Sequence, residues 1–78
     1  MSETKIFLKE IDDVKEFVNI VMLVSYDVDL VSGRYAVDAK SIMGIFSLDL
    51  SEPVLLKAHT DDADDLFKKL DEKGFIVK

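Results

Sequence analysis

Few side chains in this sequence could act on a chemical bond. Ser41 stands behind Lys40 and ahead of the apolar run Ile42-Met43-Gly44-Ile45-Phe46, so its hydroxyl could cap a helix or accept a phosphoryl group. His59 is the one histidine; it follows Lys57 on the polar side of an alternating run and reads as a solvated imidazole near acids. Asp12 and Asp13 could in principle form an acyl phosphate, but adjacent carboxylates repel an incoming phosphate and no arginine is near them in sequence. Asp61, Asp62, Asp64 and Asp65 invite a calcium reading, yet the loop glycine and distal glutamate of a calcium loop are missing. Asp27 and Asp29 fall on the solvent side of a strand and need no metal. With no cysteine, disulfides, thiolate zinc sites and thiol catalysis are excluded. The reading is a chain with no catalytic residue, metal or cofactor of its own, and so not an enzyme.

The bulk properties narrow the partners. Sixteen acidic and 10 basic residues give a net charge of −6, and no basic stripe offers counterion release to a phosphate backbone. Nucleic acid is therefore not an expected partner; a protein surface is. The longest apolar-looking stretch, Phe17 to Val24, includes Asn19 and is too short to cross a bilayer. Met1 to Lys5 lacks a basic segment followed by an apolar run. Together with the absence of cysteine this gives a cytoplasmic expectation. Seventy-eight residues suit one domain, 1–78.

Positioning falls to elements read from periodicity. Lys5 to Ile11 predicts a first strand. Asp13 with Glu16 resembles a capping box, and Val14, Phe17, Val18, Val21 and Met22 recur at helical spacing. A strand through Val18 to Val24 is the rival reading, and the cap and Ser25 favour the helix. Tyr26, Val28 and Leu30 alternate toward a core, Ser32-Gly33 is a turn signal, and Tyr35, Val37 and Ala39 alternate again, which predicts a hairpin. Ser41 then caps a short helix whose Ile42, Met43 and Phe46 exceed what one buried stripe can hold. Asp49 to Pro53 is a loop and Val54 to His59 a last strand. Thr60-Asp61-Asp62 starts a final helix, with Ala63, Leu66, Phe67 and Leu70 buried, Gly74 past its end and Phe75 to Val77 packing back. The order β-α-β-β-α-β-α predicts an α+β two-layer sandwich: a four-stranded antiparallel sheet with helices on one face.

Inside that frame, Lys40-Ser41-Ile42-Met43-Gly44 followed by Ile45-Phe46-Ser47-Leu48 resembles the regulatory-serine motif of the HPr family, the histidine-containing phosphocarriers of the bacterial sugar phosphotransferase system. The likeness covers the whole chain in element order and is specific from Val37 to Leu48. It implies the HPr open-faced sandwich. It also implies Ser41 as a target of an HPr kinase, and Lys40, Ile42, Met43 and Phe46 as a surface that docks to kinase and regulator proteins.

The chain departs from the family where the carrier histidine belongs. That family's Gly-x-His-Ala-Arg-Pro run falls between the first strand and first helix; here the region reads Glu10-Ile11-Asp12-Asp13-Val14-Lys15-Glu16. Without the imidazole and arginine, transfer through phosphohistidine is not expected, and Asp12 and Asp13 mark a degenerate active-site region. The resemblance thus implies a regulatory or adaptor homologue. The alternatives are a phosphotransfer protein with a non-histidine acceptor, or a diverged interaction or oligomerisation domain.

Overall fold

The computed structural model describes residues 1–78. Its elements are β1 (Ser2–Ile6), α1 (Ile11–Val21), β2 (Val28–Ser32), β3 (Tyr35–Asp38), α2 (Ile42–Phe46), β4 (Val54–Ala58) and α3 (Asp64–Glu72). The expected element order is the observed one. The strands form a single sheet in the order β1-β4-β2-β3, with every neighbouring pair antiparallel.

Alternation along the strands separates the two faces of the sheet. Ile6 pairs with Val54, and Leu30 lies between Leu56 and Val37. Val28, Leu30, Val54, Leu56 and Ala58 are buried, while Leu55, Lys57, Asp29 and Val31 on the opposite face are only half-buried. The helices supply the second layer through Val14, Phe17 and Val21 of α1, Ile45 of α2, and Leu66 and Leu70 of α3. All 17 buried residues are apolar, so every group able to do chemistry is at or near the surface. Removing each of the large side chains such as Phe17 or Leu56 from water contributes about 1.5–3 kcal/mol.

Several boundaries fall elsewhere than periodicity places them, and each has a local cause. β1 begins at Ser2 because its partner β4 does the selecting: Ser2 is opposite Ala58 and Ile6 opposite Val54. Past Ile6 the ladder turns to the C-terminal tail, where Phe7 donates to the Phe75 carbonyl at 2.8 Å. α1 starts almost a turn early, at Ile11. The Asp13 carboxylate reaches back to the N–H groups of Lys9 and Glu10, both at 3.2 Å, so Asp13 closes the first turn instead of preceding it. Met22, assigned to the buried stripe, is at the end of α1 and 60% exposed.

The hairpin turn is Gly33-Arg34, not Ser32-Gly33, since Ser32 pairs with Tyr35. Gly33 holds φ +59° and no other residue of the turn has positive φ, the pattern of a type II′ turn with glycine first. Tyr35 is on the same side of β3 as Val37 but past the helix layer, and is 72% exposed. α3 begins at Asp64, after Thr60 to Asp62 have closed a turn of their own. The Thr60 hydroxyl accepts the Asp62 N–H at 3.3 Å, and Asp62 accepts the Asp64 N–H at 3.1 Å. Phe67 is half-buried, not fully inside.

The end of α3 follows the sequence reading. Gly74 has φ +76°; its N–H donates to Asp71 and that of Phe75 to Leu70, a Schellman closure. The tail then lies along β1, with Ile76 bridged to Ile6 and Val77 donating to the Lys5 carbonyl at 2.9 Å. No helix is long and apolar enough to cross a membrane.

Candidate functional site

The segment Asp38 to Phe46 is organised by short-range bonds. The Asp38 carboxylate accepts the Lys40 N–H at 2.8 Å, and its carbonyl accepts the Ser41 N–H at 3.0 Å. This leaves Ser41 extended at φ −104°, ψ 107°, the backbone a helix cap requires. Its Oγ accepts the Gly44 N–H at 3.3 Å, and its carbonyl takes that of Ile45. Ser41 is therefore the cap that the sequence predicts, and it is exposed. The N–H groups of Ile42 and Met43 have no acceptor within the chain. Gly44 permits the close seat of α2 on the sheet: a Cβ there would stand 3.3 Å from the Val37 Cβ.

α2 splits its apolar residues between two environments. Ile45 is fully buried, while Met43 is 77% and Phe46 42% exposed. Ile42, assigned to the docking surface along with them, is half-buried and packed on the core. Lys40 is also half-buried: its ammonium donates to the Val24 carbonyl at 3.0 Å and ties the α2 start to the far end of α1. The apolar surface extends beyond the residues read from sequence. Leu23, next to Val24, is 71% exposed, and Met22 is exposed too. The signal was present in the run Val21-Met22-Leu23-Val24, which has more apolar residues than a helix stripe can bury.

The Asp12/Asp13 region is elsewhere. Asp12 is about 14 Å along α1 from Val21, and the Lys40 ammonium reaches the Val24 carbonyl past that far end. Asp12 is exposed, and Asp13 is engaged by two backbone donors. His59 follows the end of β4. Its N–H donates to the Asp27 carbonyl, and its Nε2 is 2.7 Å from Asp29 Oδ2 on the sheet face opposite the helices. The Asp61-to-Asp65 cluster is spent on the turn before α3 and on the Met1 ammonium, 3.4 Å from Asp61. Burial, and the carboxylates of Asp65 and Asp62, push the Tyr26 hydroxyl above its ordinary pKa.

No family model and no curated protein matches the chain. Among solved structures, the crystal structure of HPr-C-His from Thermoanaerobacter tengcongensis superposes with a TM-score of 0.77, at 32% identity over 92% of this chain and 89% of that one. The chain belongs to the HPr family. The open-faced sandwich is thus the HPr fold in its element order and sheet, and HPr proteins work by contact with other proteins of the phosphotransferase system. In this HPr-family member α2 carries an exposed serine hydroxyl and two exposed apolar side chains, Met43 and Phe46.

Proposed function

We propose that this chain is a regulatory or adaptor member of the HPr family and not a phosphohistidine carrier. It docks to kinase and regulator proteins of the phosphotransferase or catabolite-control type through α2, in the cytoplasm, under control of Ser41. The observation that carries this reading is the pairing of an exposed capping hydroxyl with Met43 and Phe46, both solvent-facing on the same short helix. Apolar side chains left in water beside a modifiable group suit a surface made to be covered. Met43 adds a flexible side chain that adapts to a partner.

Phosphorylation fits the local electrostatics. The serine oxygen would bond to the transferred phosphorus as the nucleotide diphosphate leaves and the hydroxyl proton passes to the kinase. The new phosphate oxygens would meet the unpartnered N–H groups of Ile42 and Met43. The start of α1 offers no comparable acceptor, because Asp13 already serves the backbone and Asp12 has no cation paired with it.

The deciding experiment is intact mass of the purified chain after incubation with ATP and a bifunctional HPr kinase, with Ser41→Ala alongside. One added phosphoryl group on the parent and none on the variant is expected. An unmodified parent would leave Ser41 as a helix cap only.

A further inference from the structure

The two edges of the sheet differ. β1 is covered by the tail, through Phe7 to Phe75, Val77 to Lys5 and the Ile6–Ile76 bridge. β3 has no neighbour beyond it. The direction of its free groups follows from the hairpin. In a two-residue hairpin the flanking pair, Ser32 and Tyr35, exchanges both hydrogen bonds, and bonded pairs then recur at every second residue. The bond from the Ala39 N–H to the Val28 carbonyl at 2.8 Å keeps this phase. Tyr35 and Val37 therefore bond inward to β2, and the N–H groups of Ala36 and Asp38 point outward, as do the carbonyls of Arg34 and Ala36. These three residues are exposed.

We infer that β3 is the edge through which two copies of this chain pair, antiparallel and two-fold about Ala36. Such a register sets Ala36 opposite the partner's Ala36 as a hydrogen-bonded pair and uses the outward groups. It also sets Arg34 opposite the partner's Asp38, and Asp38 opposite the partner's Arg34. Arg34 is the sole arginine and has no ion pair in the protomer, nor has Asp38. On the helix side the exposed Tyr35 meets the partner's Val37, an aromatic against a β-branched side chain. Charges on an edge strand ordinarily repel a second strand. Here one positive and one negative residue stand symmetrically about the centre, so self-pairing brings opposite charges together and a shift of register loses the match. A four-residue strand buries less than the roughly 1,200 Å² of a stable interface, and each copy has a charge of −6. The dimer is accordingly weak and forms at high protein concentration. The inference does not depend on the role of Ser41.

Sedimentation equilibrium of the full chain up to millimolar concentration tests it, with three variants. Ala36→Pro removes an N–H that β2 does not use, so the melting temperature should hold while self-association weakens at least about tenfold. Arg34→Asp and Asp38→Arg should each be monomeric alone, through like-charge pairing, and should associate when mixed. A parent that stays monomeric throughout, a dimer unaffected by Ala36→Pro, or a mixture no more associated than its components would overturn the assignment. So would an edge that captures an extended peptide while the chain remains monomeric.

Discussion

At the start of α1 two carboxylates, Asp12 and Asp13, occupy the first turn; at the start of α2 the capping group is a neutral hydroxyl and the first turn carries no acid. Asp13 takes the N–H groups of Lys9 and Glu10, with Asp12 beside it, so this helix end carries its own negative charge and a second anion would be repelled. Ser41 takes only the Gly44 N–H and is neutral, so an added phosphate has donors waiting. The flanks differ in the same direction. Ile11 is exposed at α1 without an exposed apolar neighbour in the first turn, whereas Met43 and Phe46 adjoin Ser41. Two caps of similar strength can thus leave one end of a helix chemically closed and another open to modification and to a partner.

The largest expected effect tests whether α2 really divides between core and surface. Ile45→Ala should cost about 2–5 kcal/mol in chemical denaturation, because Ile45 is fully enclosed. Met43→Asp should stay within about 0.5 kcal/mol of the parent yet abolish partner binding. Phe46→Asp should behave like Met43→Asp in binding with a somewhat larger stability loss, given its 42% exposure. A large loss in melting temperature for Met43→Asp would make that side chain part of the core and remove the docking surface.

A smaller effect compares the caps directly. Ser41→Ala and Asp13→Ala should each lower stability by about 1 kcal/mol, and Ser41→Gly by only a few tenths. The functional consequences should separate: Ser41→Ala should lose phosphoryl uptake and weaken partner control, while Asp13→Ala should retain both. Equal loss of control from both variants would mean that α2 responds to general destabilisation and not to its own hydroxyl.

How far these features can be read from sequence depends on how local their causes are. The Ser41 cap, the Gly74 closure and the alternation of Val54, Leu56 and Ala58 are set by neighbours a few residues away, and they occur where the pattern puts them. β1 is different. Residues from Lys5 to Ile11 are good strand formers, but only pairing with β4 determines that the ladder runs from Ser2 to Ile6. At α1, Asp13 and Glu16 satisfy the same three-residue spacing as Glu10 and Asp13, and spacing alone cannot select between them. Tyr35 alternates correctly and is nevertheless exposed, because a face is buried only as far as the helices reach. Lys40 reads as a surface cation, and only the folded chain brings Val24 to its ammonium.

The smallest effect concerns the exit from α2, where a carboxylate again bonds locally but without closing a helix. Asp49 Oδ1 accepts the Ser51 hydroxyl at 2.6 Å and the Ser51 N–H at 3.0 Å. These bonds, the hydroxyl first, favour the charged form and hold the Asp49 carboxyl below its ordinary value of 3.8. A depressed folded-state pKa means that the unfolded chain binds the proton more readily. The resulting stabilisation is present above pH 3.8 and is lost as pH falls through the folded-state value. Ser51→Ala removes the hydroxyl and keeps the N–H, so the Asp49 titration midpoint, followed by carboxyl carbon NMR, should rise part of the way toward 3.8. Stability at neutral pH should hardly change, since Asp49 is exposed and solvent replaces much of what the hydroxyl gives. An unmoved midpoint would assign the depression to the backbone donor and make this junction resemble the Asp13 cap of α1, where the carboxylate is held by N–H groups alone.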